Sequence, residues 1–317
     1  MRALVYDREL RFTEDYPVPE PGDNESLIRV TRAGICNTDL EILRGYMAFQ
    51  GIPGHEFAGV VEKSSDSSLI GKRVAGEINA PCGKCDYCYK NMPTHCTVRS
   101  VLGILNRNGV FAEYTVLPDK NLHILPDTVT DDEAVFIEPL AAAFRITEQL
   151  KLAENDRVCI LGDGKLGMLT AQVLALSGCE TVLTGHHMEN LALLDGSGIK
   201  TVMSSDFSLS GFDVVVDCTG SRSGLETAME AVRSCGTIVM KTTVAEKTQI
   251  DLNRIVVNEI TLLGSRCGPF EPAIRAIENK LVNLSPLISK SFQLEDGIAA
   301  FHHAGIKGVM KVILCID

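Results

Sequence analysis

The chain has 317 residues, 45% of them apolar and 22% charged, with a formal net charge of −11 at pH 7. That length supports two domains with cores of their own, and the composition is that of a globular protein. The acidic balance, with no basic stretch to offset it, argues against a nucleic acid partner, and no apolar run is long enough to span a bilayer.

The chain opens on Met1-Arg2-Ala3-Leu4-Val5-Tyr6, which reads as a strand; a charge comes at the second position and no cleavage site follows, unlike a secretory signal. Eleven cysteines without such a signal place the expected setting in the reducing cytoplasm. Short alternating or β-branched runs follow at residues 27–31, 58–62, 73–75 and 112–116, punctuated by Gly and Pro. They predict a β-rich first domain with long loops. Within it stand Cys82, Cys85, Cys88 and Cys96, spaced C-x2-C-x2-C-x7-C. Four thiolates this close wrap one tetrahedral Zn²⁺ and close its shell, so this site is structural and does no chemistry. Pro81, Gly83 and Lys84 suit the tight turns of such a knuckle.

Near Glu138 the pattern changes. Strand-like runs at residues 157–161, 181–183, 212–217, 237–240 and 260–263 alternate with helical runs at 166–176 and 224–233. This rhythm predicts an α/β unit, a doubly wound parallel sheet covered by helices. Residues 200–211 are short for a strand–helix–strand unit. The turn Gly162-Asp163-Gly164-Lys165-Leu166-Gly167 follows an apolar strand and opens an apolar helix, the context a dinucleotide-binding G-x-G-x-x-G requires. Gly162 allows the tight turn, Gly164 close approach of a pyrophosphate, and Gly167 close packing of helix on sheet. NAD enzymes place an acid about 20 residues past the first Gly. Here the second strand ends in Thr184-Gly185-His186-His187; Glu180 precedes the strand and Glu189 follows in a helix. With Gly185 making room and His186 or His187 able to donate, the expectation favours NADP(H) over NAD(H). The alternative is NAD held through other contacts.

Four segments complete the picture: Ala33-Gly34-Ile35-Cys36-Asn37-Thr38-Asp39, Gly54-His55-Glu56, Glu138-Pro139-Leu140-Ala141 and the Gly-rich turn. In this order, with the four-cysteine lobe, they resemble the zinc-dependent medium-chain alcohol dehydrogenase family over essentially the whole chain. The Glu-Pro-Leu segment is most similar to the polyol and threonine dehydrogenase branch. The resemblance implies a Rossmann domain at residues 138–270. It also implies a GroES-like catalytic domain at 1–137 and 271–317, with a structural zinc lobe at about 79–99 and a final strand at 309–316 that returns to the first domain. A crossover helix of longer relatives is trimmed in the 200–211 stretch.

The same resemblance implies two zinc ions per chain. The catalytic one takes Cys36, His55 and either Glu56 or Glu138, and keeps an open position. Asp39 matches the residue that accepts the second imidazole N–H. Thr38 matches the hydroxyl that begins a proton relay. Glu41 departs from the His common among relatives. The other six, Cys159, Cys179, Cys218, Cys235, Cys267 and Cys315, lie mostly in apolar surroundings and read as inert core thiols. Lys165 and Leu166 in the turn, Thr219 and Gly220, Thr242 and Thr243, and Ser265 and Arg266 fall where relatives skirt the cofactor, the last three pairs at C-terminal strand ends. The implied reaction moves a hydride between NAD(P) and a secondary alcohol, polyol or hydroxy amino acid, giving a ketone. A low aromatic content (5%, no Trp) fits a polar alcohol. Relatives form homodimers or homotetramers through the cofactor domain, here with residues 260–263 and 282–288 contributing. Two other readings use the same scaffold: a zinc-independent, quinone-reductase-like enzyme, and a catalytically silent NADP-binding protein.

Overall fold

The structure, a computed structural model, describes residues 1–241 and 249–316. The chain divides into two compact units. One holds Met1–Glu138, Ala273–Asn279 and Ile288–Asp317; the other holds Pro139–Pro272 and Lys280–Leu287. Lys280–Leu287 therefore departs from the sequence expectation, which gave it to the first unit. Val282, Leu284 and Leu287 are buried, so they are not the free apolar edge expected of residues 282–288.

The first unit is built on a seven-stranded sheet. Ile288–Gln293, Lys311–Cys315, Glu25–Ile35, Glu56–Lys63, Arg73–Gly76 and Leu122–Ile124 lie side by side, and Tyr114–Pro118 pairs with the first half of Glu25–Ile35. Only the Ile288–Gln293 and Lys311–Cys315 pair is parallel. The run expected at 112–116 enters the sheet two residues later, because Ala112 instead bridges to Ala3. In the long central strand, Leu27, Ile28, Val30, Ala33 and Ile35 are buried. Gly34 of that strand faces Glu56 on one side and Ile313 on the other.

The cysteine lobe is bracketed by two paired two-residue strands, Asn79–Ala80 and Ser100–Val101. Between them lie only the short helix Asp86–Tyr89 and a 3-10 turn at Pro93–His95. Tyr87, Tyr89, Met92 and Val98 are exposed there. So little apolar burial leaves the lobe almost no core of its own.

The second unit carries a six-stranded, all-parallel sheet in the order Lys200–Met203, Glu180–Gly185, Arg157–Leu161, Phe212–Asp217, Val232–Met240, Thr261–Gly264. Numbered along the chain, the order is 3-2-1-4-5-6, the dinucleotide-binding arrangement. The connection from Lys200–Met203 to Phe212–Asp217 holds only the 3-10 turn Ser204–Asp206. The apolar strand faces pack with Ala228, Met229 and Ala231 into one core containing Cys159, Leu161, Val182, Phe212, Val215 and Ile238. Among the described residues no helix is long and apolar enough to cross a membrane.

Phe212 is fully buried in that core, stacks at 6.4 Å on Phe207, and lies 4.7 Å below the Arg157 guanidinium. Phe212→Ala should cost about 3–5 kcal/mol. Chemical denaturation of the variant, followed by far-UV circular dichroism, checks this; an unchanged midpoint would show that the site collapses without loss.

Candidate active site

The first site is assembled by two neighbouring strands and one helix. Cys36 ends the strand Glu25–Ile35 and caps the helix Asn37–Leu43. The Cys36 backbone N–H donates to Asp39 Oδ2 at 2.8 Å, which fixes the first helical turn. The other oxygen, Asp39 Oδ1, lies 3.2 Å from His55 Nδ1. This is ion-pair distance, although the ring N–H is not aligned for a hydrogen bond. One carboxylate therefore holds the Cys36 backbone and faces the His55 ring, with His55 Nε2 turned away from Asp39. Burial alone would push the His55 imidazolium down. Asp39 and Cys36 outweigh it and hold the pKa well above its ordinary value.

Glu56 follows directly, at the start of the strand Glu56–Lys63. The ligand atoms of Cys36, His55 and Glu56 all lie within 4.8 Å of one another. Among the described residues, Glu138 stands outside this group. Glu56 is fully buried, and its Oε2 accepts from Lys311 Nζ. Its Oε1 is buried with no hydrogen-bond partner. A buried, unpaired carboxylate oxygen is costly, and a cation facing Cys36, His55 and Glu56 supplies what it lacks. A thiol, an imidazole and a carboxylate form a donor set that suits zinc.

Lys311 was not singled out from sequence, although a lone cation in the apolar run Val309-Met310-Lys311-Val312-Ile313 was a signal. It is 1% exposed and sits 5.5 Å from the Phe136 ring centroid. Burial works against its charge, but Glu56 above all, and then Cys36, raise its pKa above the ordinary lysine value. Gly34 is what lets the pair form. A Cβ there would crowd Val135, lie 2.7 Å from Glu56 Oε2, and press on the Lys311 stem. Thr38 Oγ1 stands 3.8 Å from Cys36 Sγ, and Glu41, on the same helix, is tied to Arg44 at 2.6 Å.

The four lobe cysteines also close to within 4.8 Å. Cys85 and Cys88 Sγ are 3.5 Å apart, as are Cys82 and Cys96 Sγ. Tetrahedral zinc with Zn–S near 2.3 Å needs edges of about 3.8 Å, so the cage fits with slight expansion. The backbone N–H groups of Cys88 and Thr97 pull the Cys85 thiol down to about 6. Burial, with Cys85 alongside, pushes Cys88 up to about 11. Of the remaining six, Cys159 and Cys179 are buried, and Cys218, Cys267 and Cys315 are half-buried. Cys235 is exposed, so it departs from the core setting expected of it.

In the second unit, Gly162 turns the chain with φ +107°, where a Cβ would meet Cys218 O at 2.8 Å. Gly164 caps the helix Lys165–Ala175, which carries Lys165 and Leu166 in its first turn and Gly167 buried behind them. Nothing within 4 Å would obstruct a Cβ at Gly164. Internal packing therefore gives no reason for a glycine there; a group approaching from outside does. Free N–H groups at this helix start suit a pyrophosphate.

The expectation of NADP(H) rests on there being no acid at the end of the second strand. The structure brings one there from the Gly-rich turn. Asp163 is 5% exposed, and its side chain fills the space over Gly185, with Oδ2 2.7 Å from where a Cβ would stand. Asp163 Oδ2 accepts from the His187 backbone N–H at 2.7 Å and lies 3.0 Å from His187 Nδ1. The Asn190 amide donates to Asp163 O at 3.2 Å. His186 is exposed, with Nδ1 2.5 Å from Ser204 Oγ. The signal that sequence reading passed over was an acid between the first two glycines of the motif.

The remaining positions sit at strand ends of this unit. Thr219 donates from N and Oγ1 to Asp217 Oδ1 at 2.9 and 2.8 Å, and Gly220 follows with φ +66°. Ser265 N donates to Met240 O at 3.1 Å, and Lys241 Nζ donates to Arg266 O at 3.0 Å. Thr242 and Thr243 lie outside the described residues.

Comparison with known proteins agrees with both halves. The family model of the alcohol dehydrogenase GroES-like domain matches residues 22–127, and that of zinc-binding dehydrogenases matches residues 166–282. The L-threonine 3-dehydrogenase of Legionella pneumophila is 30% identical, over 96% of each chain. The sorbitol dehydrogenase of Halalkalibacterium halodurans is 28% identical, over 95% of this chain and 94% of its own. Among solved structures, an alcohol dehydrogenase from Escherichia coli complexed with NADH has a TM-score of 0.92 at 27% identity, covering 100% of this chain and 99% of that one. A zinc-binding dehydrogenase from Sinorhizobium meliloti bound to NADP has a TM-score of 0.91 at 26% identity, covering 99% and 98%. The chain belongs to the zinc-dependent medium-chain dehydrogenase family, in its polyol and threonine dehydrogenase branch. It is an oxidoreductase of the alcohol dehydrogenase class.

Lys311→Met strands the buried Glu56 carboxylate and should destabilise the metal-free protein by about 3–5 kcal/mol. Adding Glu56→Gln should recover most of that loss. Urea midpoints of the two variants, measured in excess chelator, decide it. Equal losses in the single and double variants would mean that the pair is not what Lys311 contributes.

Proposed function

We propose that this chain is a dehydrogenase using zinc and NAD(P), which interconverts a secondary alcohol, polyol or hydroxy amino acid and the matching ketone. The observation that carries the reading is the Cys36, His55 and Glu56 cluster, closed to within 4.8 Å around an unpartnered carboxylate oxygen. A zinc-independent reductase has no use for such a cluster. The similar sorbitol and L-threonine 3-dehydrogenases act, by name, on a polyol and a hydroxy amino acid.

Cys36 Sγ, His55 Nε2 and Glu56 Oε1 would hold the catalytic zinc, and Cys82, Cys85, Cys88 and Cys96 a structural one. Bound zinc supplies Lewis acidity that eases loss of the alcohol proton, and bound NAD(P) supplies the hydride acceptor. Asp39 fixes the His55 ring. Lys311 engages Glu56 Oε2, leaving Oε1 for the metal. Thr38 Oγ1, 3.8 Å from Cys36 Sγ, would be the first hydroxyl to take the proton that the alcohol loses. The turn at Gly162 to Gly167 holds the pyrophosphate, and strand-end positions around Thr219, Gly220, Ser265 and Arg266 border the cofactor. The expectation of NADP(H) over NAD(H) loses its premise with Asp163 over Gly185.

We also propose a homodimer or homotetramer. Thr261–Gly264 ends the sheet order; Leu262 on it is exposed, as are Leu252, Val256 and Val257 of the helix Leu252–Val257 that precedes it in the chain. Uncovered apolar side chains at a sheet edge favour pairing with another copy.

Metal analysis should find about two zinc ions per chain. Cys36→Ser should hold one, lose turnover about 100-fold or more, and remain folded and soluble, with at most a modest drop in its melting midpoint. Cys88→Ser should instead lower soluble yield, because the lobe has no core to replace its metal. Retained turnover in Cys36→Ser would sink the zinc mechanism. Light scattering at micromolar concentration should report a multiple of the chain mass; a single monomeric species refutes the assembly.

A further inference from the structure

The Gly-rich turn contributes more than room for a pyrophosphate. Strand-end selection of the adenosine ribose needs a carboxylate that accepts from its hydroxyls, and such a charge repels a 2′-phosphate. The strand Glu180–Gly185 ends without one. Asp163 fills the place from the neighbouring turn. Its side chain lies over Gly185, and any side chain at residue 185 would overlap it. The carboxylate is held rather than loose, because His187 N and Nδ1 both engage Oδ2, at 2.7 and 3.0 Å. Oδ1 has no hydrogen-bond partner among the described residues.

The surroundings point the same way. Residues 184–190 and 203–206 contain no Lys or Arg, and they include Glu189 and Asp206. The histidines that suggested a phosphate site are occupied on one ring nitrogen each, His187 Nδ1 by Asp163 and His186 Nδ1 by Ser204. A 2′-phosphate here would meet a fixed carboxylate, with no guanidinium in these two segments to receive it.

We propose that Asp163 is the residue that selects the cofactor: its Oδ1 accepts from the adenosine ribose hydroxyls, and its charge makes the enzyme prefer NAD(H) to NADP(H). The acid common at the strand end has been moved to the turn, and Gly185 is the vacancy that admits it. Gly185→Asp alone is then not a specificity switch, since the new side chain collides with Asp163. This inference rests on the dehydrogenase reading above.

The test is direct binding. Dissociation constants for NADH and NADPH are measured by nucleotide fluorescence for the wild-type protein, Asp163→Asn and the double variant Asp163→Gly/Gly185→Asp. Wild type should bind NADH at least tenfold tighter than NADPH. Asp163→Asn should lose about tenfold or more toward NADH, the order expected for a hydrogen bond to a charged group, and should not weaken toward NADPH. The double variant returns the carboxylate to the strand end and should restore the NADH preference. Asp163→Ser is the substitute if Asp163→Asn does not fold, as judged by circular dichroism. A wild-type preference for NADPH overturns the proposal, and so does an NADH-to-NADPH ratio that stays within twofold of wild type in a folded Asp163 variant. Folded wild type that binds neither nucleotide overturns the dehydrogenase reading itself, a result distinct from either.

Discussion

The first unit is organised around the buried pair of Lys311 and Glu56. Two charges removed from water must satisfy each other, and they stand 255 positions apart in the chain. The pair reaches across the central strand of the sheet, passing over Gly34, which has no side chain to block it. It therefore ties the C-terminal strand Lys311–Cys315 into the β-rich unit that the chain began some 300 residues earlier. Attraction in a low-dielectric interior offsets desolvation only when geometry is good, so the pair also demands one register of the strands. That register brings Glu56, with His55 before it in the chain, beside Cys36. The same ion pair thus fixes a fold connection and half-occupies the carboxylate that faces the metal site.

Asp39 works the same way on a smaller scale. Its two oxygens face the Cys36 N–H and the His55 ring. Helix capping and ligand orientation become one constraint, so the thiolate and the imidazole cannot drift independently. The second unit uses space rather than charge. Gly162 and Gly167 allow close backbone approach, Gly164 keeps an outer face open, and Gly185 admits Asp163. The four-cysteine lobe has neither device. Its apolar side chains are largely exposed, and only its thiols converge.

Much of this was legible in the sequence. Cysteine spacing is local, so four ligands of one lobe can be read without knowing the fold. Hydrophobic rhythm is local too, and it distinguished the β-rich unit from the alternating one near Glu138. The Gly-rich turn was identified by the strand before it and the helix after it. The ordered set of Cys36, His55 and Glu56 came from family resemblance, and the structure brings those three together while leaving Glu138 outside the group.

What only the tertiary structure decided were pairings between distant segments. Lys311 meets Glu56 across the sheet, and no periodicity links residues so far apart. Asp163 meets Gly185 because two parallel strands end side by side, with Leu161 in register with Thr184. The second strand ends without an acid, which on sequence alone favours NADP(H). The acid stood on the first connection instead. Val282, Leu284 and Leu287 looked like an apolar edge and proved to be core, since an apolar run is the same whether its partner is solvent, another copy or its own chain. Local sequence carries spacing and rhythm. Which charges face each other, and which faces are covered, depends on strand order and register, and these are properties of the folded whole.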